Sequence, residues 1–581
     1  MYKTAMPLVI ILTITGCGGL PVRESADKPA FNSLEAQRKR SQFFGKEPDF
    51  ATTRPRAEIR DALTVAFPQS DMQLDFRKAF LTHEAQLFTG IYEGLFSYHP
   101  LTMEPVPGVA VRWWVSEDKK QWTFILRKDA KYWNGDAVTA EHFRVAWLSL
   151  LNPSRNAPYA SLFDIIEGAR AYRLGETRDP NQVGIIARDD ETLIVRLSAP
   201  ASFFPRMLCH HSFSPIHPSM INKKNWSKEP PVSNGPFYIK ENKPTRITLV
   251  KNEQYWDSKN VSLNRLTLRF IKDGNESAEL WNSGEARWIY RDVNMDGLTD
   301  LSGIMLNPMF STHYYFIKAK EKPWNDYRVR QALTLALPWD EIRQGYMLPA
   351  KTLVYPLAGY PHIEGLETTD MEKARQLLAE AGYPQGAGLP VLVVRLNPSQ
   401  EAARMGSIML GAWMDNLGIP VRIEVVPYGG YEASLKQDNY SVGSTTWIGD
   451  FADPYTFLEM WRRDSTMNYA RYDDADYETL MDRSMLEEGG KRMETLAEAE
   501  KLLLDRGVVL PIFYSPALNI VDIDEIDGWY PNALDIHPFK YLSFKTFKPL
   551  PGVASLPGMT QAAYTSFRTV RSFLEFTEKS P

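Results

Sequence analysis

"LPVLVVRLNPSQEAARMGSIMLGAWMDNLGIPVRIEVVPY", Leu389 to Tyr428, sets two runs of apolar and β-branched residues on either side of a longer stretch in which apolar residues recur every three or four positions. The outer runs read as strands and the middle, "SQEAARMGSIMLGAWMDNLGI", as a helix. A connection of that length suits a crossover rather than a hairpin, so the two strands are expected to lie parallel with right-handed connectivity.

The same alternation extends along the chain. "ALTVAF" (Ala62–Phe67) reads as a strand leading into a helical stretch, "EAQLFTGIYEGLFSY". Gln121–Leu126 is a strand, "NGD" at Asn134–Asp136 a turn, and the stretch after Thr139 a helix with Glu141 and His142 in its first turn. "DDETLIVRLSAP" and "LNRLTLRFIKD" are strands, and "NGPFYIKENKPTRITLVKN" is a hairpin. "DYRVRQALTLALP" is helical until Pro338, and "DMEKARQLLAEAGYP" is a helix capped by Asp370 and stopped at Gly382. The pattern predicts two or more α/β lobes rather than one sheet. A chain of 581 residues is long enough for several domains.

At 44% hydrophobic and 24% charged, the chain is composed like a folded globular protein, which excludes disorder and multiple membrane spans. A net charge of −5 without a long basic run gives no reason to expect nucleic acid. "MYKTAMPLVIILTITGC" has one cation, an apolar stretch and small residues before Cys17, the layout of a secretory signal. Its ending, "ITGC", resembles a bacterial lipobox, which implies cleavage before Cys17 and lipidation of that residue. Residues 17–60 then read as a polar tether. The only later cysteine, Cys209, has no partner for an intramolecular disulfide once Cys17 is acylated, and is expected to be free and buried. From Pro549 a Pro/Gly linker precedes an amphipathic stretch, Thr560–Thr577, that suits a helix packed on the body or on a partner.

Familiar catalytic signatures are missing: there is no GxxxxGK[ST], HExxH, GxSxG or CxxC. His210, His211 and His217 cluster with Cys209 in "CHHSFSPIHP", but their spacing fits no standard zinc pattern and they read as a loop beside a strand end. Asp136, Asp189 and Asp190 read as turn residues. No cofactor or metal is expected. In "TTWIGDFADPYTFLEMW" (Thr445–Trp461) two carboxylates, Asp450 and Asp453, occur with no base. From that stretch alone Asp450 is a loop carboxylate or a partner of Arg462 or Arg463.

"YEGLFSYHP", "WTFILRKDAKYWNGDAVTAEHFRVAWLSLLNP", "SNGPFYI", "VKNEQYWD", "NDYRVRQALTLAL", "ARQLLAEAGYP", "TWIGDFADPYTFL" and "ALDIHPFKYLSFK" together resemble, in order, the dipeptide- and oligopeptide-binding proteins of peptide-importing ABC transporters. The resemblance covers about Leu63 to Lys545, and "LRKDAKYWNGDAVTAEHF" is its most specific piece. It implies a two-lobed periplasmic-binding-protein-like α/β fold (type II) closing on a ligand, with an extra domain inserted in the first lobe. Mapped here, residues 1–16 are the signal, 62–96 with 181–270 and 508–548 the first lobe, 97–180 the insert, 271–507 the second lobe, and 549–581 the linker and terminal helix. "LRFIKD" and "VVLPIFY" are the hinge candidates.

The resemblance also implies a site. Asp450 would receive a peptide's α-amino group, Trp447 would form a wall, and Thr445, Thr446, Trp447 and Ile448 would offer backbone to the peptide. Asp453 would be a turn or cap residue. Arg395 or Arg404 would meet the peptide carboxylate. Positions where a longer-peptide binder can carry His and Arg are Ala402 and Ser444 here, a departure that bears on ligand length. The implied partners are small peptides and a permease–ATPase complex, with a monomer held at the periplasm or cell surface by lipidated Cys17. Rival readings are the same fold binding a nickel complex, haem, oligosaccharide or opine, a surface sensor or adhesin, and a peptidase.

Overall fold

A computed structural model describes residues 60–545, apart from 69–71, 227–228 and 358. The signal, Cys17, the tether and the stretch Thr560–Thr577 lie outside the described residues. In chain order, β1 (Ala62–Pro68) is followed by an antiparallel pair, β2 (Phe96–Tyr98) and β3 (Pro105–Pro107). A separate four-stranded sheet then comprises β4 (Ala110–Val115), β5 (Gln121–Leu126), β6 (Ile185–Asp189) and β7 (Thr192–Arg196). The main sheet continues with β8 (Phe237–Lys243), β9 (Arg246–Lys251), β10 (Arg265–Ile271), β11 (Trp288–Tyr290) and β12 (Ile304–Ile317). Its remaining strands are β13 (Leu392–Leu396), β14 (Val421–Val425), β15 (Val442–Ile448) and β16 (Val509–Val521). The helices that bear on the site are α1 (Thr82–Ile91), α2 (Ala140–Leu151), α3 (Tyr327–Leu335), α4 (Met371–Glu380), α5 (Gln400–Leu410), α6 (Tyr428–Leu435) and α7 (Gly489–Asp505).

The unit around α5 forms as its pattern predicts. All five residues of β13 are buried, β13 and β14 pair in parallel, and Ser399 caps α5 by accepting the Ala402 amide at 3.0 Å. Asp370 caps α4 in the same way through the Lys373 amide at 2.8 Å. These helices and α3 bury Leu333, Leu378, Met405 and Trp413 against Val394, Val442 and Ile512 of the sheet. A second apolar layer, with Ala66, Trp281, Ile289 and Ile520, covers the other half.

The main sheet departs from the expectation that the two lobes would not share one sheet. Its order is β14-β13-β15-β12-β16-β11-β1-β10-β9-β8, so both halves belong to one hydrogen-bonded sheet. Two long strands make this continuity possible. Ile304–Pro308 of β12 pairs with the end of β16 that also carries β11, whereas Ser311–Ile317 pairs with β15 and with the start of β16. The register breaks between Pro308 and Thr312, where the strands pass from one half to the other. Thus β12, rather than the stretch Leu268–Ile271, accompanies Val509–Val521 across the join. Leu268–Ile271 lies inside the first half, in β10, with β1 along one edge and β9 pairing as far as Arg269 along the other. The four-stranded sheet likewise continues past residue 180, because β5 takes β7 as its second partner and β6 closes the edge.

Helix α1 is shorter than its sequence pattern suggests. The chain turns extended at Tyr92 because Glu93 is drawn into a buried network, accepting from Tyr255 and Trp256 (both 2.5 Å) and pairing with Lys540 at 3.2 Å.

Beyond β15 the chain is pinned at two points. The Gly449 amide donates to the Phe310 carbonyl at 2.8 Å, and a Cβ on Gly449 would fall 2.4 Å from the Phe310 ring. Asp453 accepts the Tyr455 amide at 2.9 Å, as a cap residue does, and is also held by both terminal nitrogens of Arg492 in α7 at 2.8 and 2.9 Å. Both partners are buried, and the guanidinium lies over the Phe203 ring. Removing one member strands the other charge, so Arg492→Ala is expected to cost about 3–5 kcal/mol. Urea denaturation checks this, and unchanged stability would show that the pair does not hold the segment.

Candidate functional site

A cavity of about 460 Å³ opens where the long strands break register, lined from the first half by Tyr98, Tyr159, His210 and Arg291 and from the second by Glu432 and Thr445–Asp450. Its size lies within the range of small-ligand sites. Asp450 follows directly on the Gly449 anchor, so its backbone is fixed before its side chain is considered. Its amide donates to the Thr456 hydroxyl at 3.0 Å, and its carbonyl accepts from the Tyr98 hydroxyl at 3.4 Å.

The Asp450 carboxyl has 10% of its side-chain surface exposed. Oδ1 lies 3.3 Å from the Tyr159 hydroxyl and 3.5 Å from His210 Nε2. The Ser212 amide donates to His210 Nδ1, so the ring proton sits on Nε2 and faces the carboxylate. Burial, reinforced by neighbouring His211, drives the His210 pKa well below its usual value and keeps the ring neutral. The contacts on Asp450 are therefore hydrogen-bond donors without charge. Burial raises its pKa to about 7, while the Tyr159 and Thr456 hydroxyls pull the other way.

Arg462 and Arg463 are not partners of Asp450. Arg462 pairs with Glu478 at 2.8 Å and with Asp482, and Arg463 pairs with Asp473 at 2.6 Å. Among the described residues no lysine or arginine forms an ion pair with Asp450. A buried carboxylate that faces a cavity with only neutral donors has its hydrogen bonds partly met and its charge unmatched.

The backbone of β15 offers a second kind of recognition. The Lys318 amide bonds the Ser441 carbonyl and the Gly449 amide bonds the Phe310 carbonyl, so alternate residues 441, 443, 445, 447 and 449 face β12. The N–H and C=O groups of Thr446 and Ile448 therefore point to the other edge, where β13 pairs only at Val442. At Ser444 the Tyr431 hydroxyl of α6 occupies that edge, 3.1 Å from the amide and 3.0 Å from the carbonyl. Of the four residues Thr445–Ile448, two supply free edge groups and two spend theirs on the sheet. Trp447 lines the cavity with its indole fixed to the Thr456 carbonyl at 2.9 Å.

Neither Arg395 nor Arg404 lines the cavity. Arg395 is 1% exposed and is consumed by Glu424 (2.7 Å), Asn439 (2.9 Å) and the Ser434 carbonyl (2.9 Å), tying β13 and β14 to α6. Arg404 bonds Glu401 and the Ile342 carbonyl and lies over Tyr346. The cation that does line the cavity is Arg291, which lies far from both in sequence. Its Nε and Nη2 bind Asp535 at 3.1 and 2.9 Å, with a third of the side chain exposed (33%). Burial pushes the Asp535 carboxyl up, but Arg291 and His537 together hold it below the usual carboxylate range.

The histidine cluster divides. His210 and His211 line the cavity, whereas His217 bonds Asp136 at 2.9 Å in the "NGD" turn. Cys209 is free and half-buried at the cavity wall, with its thiol pushed up by burial. Among the described residues no group of three or more His, Cys, Asp or Glu side chains is arranged to hold a metal. Sequence reasoning missed Tyr159, Arg291 and Glu432 because none sits in a recognisable local pattern. "CHHS" was the visible signal for His210 and His211.

Comparison with known proteins identifies the family and the fold. Residues 104–469 match the model for bacterial extracellular solute-binding proteins, family 5. The oligopeptide-binding protein OppA of Bacillus subtilis is 29% identical over 435 residues, covering 71% of this chain and 80% of that one. The murein tripeptide binding protein MppA of Escherichia coli superposes with a TM-score of 0.75 at 26% identity, covering 84% of this chain and 99% of that one. A periplasmic oligopeptide-binding protein of Borrelia burgdorferi, OppAIV, gives a TM-score of 0.74 at 26% identity, covering 83% of this chain and 100% of that one. The chain belongs to the bacterial extracellular solute-binding proteins of family 5.

Proposed function

We propose that this solute-binding protein captures small peptides, holding the α-ammonium on Asp450 and the main chain on the Thr446–Ile448 edge of β15. The observation that carries the reading is the Asp450 carboxylate, desolvated at a cavity wall with neutral donors and with no cationic partner among the described residues. An ammonium supplies the missing charge, and an extended backbone supplies partners for the free edge. Because the ammonium lies beyond Ile448, the peptide runs antiparallel to β15, towards Ser444. Arg291 is the cavity cation available to a ligand carboxylate, in place of Arg395 or Arg404. Binding rather than catalysis, delivery to a permease–ATPase complex, a monomeric state and anchoring through lipidated Cys17 complete the proposal. In the lobe division proposed with it, Tyr159 of the inserted domain and His210 of the first lobe stand opposite Asp450 of the second lobe across the cleft, so closure assembles the site.

Asp450→Ala is expected to weaken binding of tri-alanine by about 3–5 kcal/mol, or two to four decades in Kd, because the ammonium then lies buried without its counter-charge. Asp450→Asn should lose nearly as much, whereas a site for a sugar hydroxyl would tolerate Asn. Calorimetry showing wild-type affinity in either variant removes Asp450 from this role.

The raised pKa sets the pH profile. Asp450 must give up its proton to receive an ammonium, so affinity is expected to fall roughly tenfold per unit as pH drops below about 7. Above about 8 the free α-amino group deprotonates and affinity declines again. The sign for stability is the reverse: the ligand-free protein loses stability as pH rises towards about 7, since ionising Asp450 costs more in the fold than in the open chain. A tri-alanine affinity that is flat from pH 5.5 to 7 would contradict this assignment.

A further inference from the structure

Three charged side chains line the cavity: Asp450, Arg291 and Glu432. Arg291 is held by Asp535, which is fully buried beneath it and further held by Asn519 at 2.8 Å, and a third of its side chain (33%) stays exposed for the ligand carboxylate. That leaves two acids facing the ligand space. A simple peptide brings one ammonium, and Asp450 takes it.

Glu432 is the unmatched acid. It lies in α6 beside Tyr431, whose hydroxyl closes the β15 edge at Ser444. Among the described residues it forms no ion pair or side-chain hydrogen bond. Burial raises its pKa, and Lys436, one turn along α6, offsets this in part. Its neighbours include Tyr314 and cavity-lining Tyr469, and Tyr469 in turn neighbours Tyr159, the donor to Asp450. Asp450 follows β15 at one end of a ligand path along that strand, and α6 meets the path at Ser444 through the Tyr431 hydroxyl. From Ile448 to Ser444 that path is about 13 Å long at the rise of a strand.

His211 is a further polar group at the cavity wall. His211 is 8% exposed, and neither ring nitrogen has a hydrogen-bond partner. The Ala79 carbonyl lies beside the ring without closing a bond of good geometry. It stacks on Phe88 at 5.1 Å and abuts His210, so the ring is held in place at the cavity wall.

We propose that Glu432 forms a subsite for a lysine or arginine side chain, so that the cavity selects peptides carrying a basic residue three or four positions from the amino terminus. The proposal rests on the peptide reading above and deepens it. Register decides the position: an extended peptide whose first residue lies level with Ile448 advances about 3.3 Å per residue, which brings its third and fourth residues level with Thr446 and Thr445, one or two residues short of Ser444 and α6. A long basic side chain spans the remaining gap, and its charge balances the second acid.

The test uses alanine tetrapeptides with lysine, or its uncharged isostere norleucine, at position 2, 3 or 4, titrated by calorimetry into the wild-type protein and Glu432→Gln. The expected result is at least tenfold tighter binding of the lysine peptide at position 3 or 4 in the wild type. In Glu432→Gln that preference disappears while the norleucine peptides keep their affinity, which also reports that the variant is folded. Equal affinity of lysine and norleucine peptides for the wild type overturns the proposal, as does a lysine preference that survives Glu432→Gln. If norleucine peptides bind and the lysine preference is absent, only the Glu432 subsite fails. If no tetrapeptide binds the wild type, the peptide reading fails with it.

Discussion

One uncompensated charge organises this molecule. Asp450 has lost most of its water, and among the described residues its carboxyl meets the Tyr159 and Thr456 hydroxyls and a neutral imidazole but no cation. Neutral donors orient a carboxylate and recover part of its desolvation cost, but they leave its charge unbalanced in a low-dielectric wall. The chain keeps this carboxylate in place with fixed neighbours: Gly449 against Phe310, Thr456 on the Asp450 amide, and the buried Asp453–Arg492 pair just beyond. These contacts fix the backbone on both sides of the acid.

The sheet explains why the charge faces a cavity. Two long strands, β12 and β16, serve both halves, and their pairing breaks around Pro308–Thr312. Past that break β15 borders β12 on one side while β13 leaves its other edge after Val442. An open strand edge, a buried acid and aromatic walls then arise from a single topological feature. The first half contributes Tyr159 and His210 across the gap. Further bonds join the halves nearby: Arg173 to the Asp464 carbonyl at 2.7 Å, and Ser161 to Thr466 at 3.1 Å.

Much of the secondary structure was legible in the sequence because local signals and burial agreed. Leu392–Leu396 alternates with nothing polar except Arg395, and its flanking helix carries its own cap. Asp450 and Trp447 could be located from their stretch and its family resemblance. The arginines could not. Arg395 sits in an apolar strand and looks spare, but four acceptors, on Glu424, Ser434, Gln437 and Asn439, consume it. Arg291, Tyr159 and Glu432 reach the cavity only through long-range packing, which leaves no periodic trace. The continuity of the sheet was hidden for the same reason, since Ile304–Ile317 reads as one strand whether or not it serves two halves.

The central claim is that the charge missing from Asp450 is the α-ammonium of the ligand. The most direct measurement compares tri-alanine with N-acetyl-tri-alanine by titration calorimetry at pH 7.5. Acetylation removes the charge and leaves the rest of the main chain, so the account predicts binding weaker by about two decades or more. Equal affinity for the two peptides would contradict it.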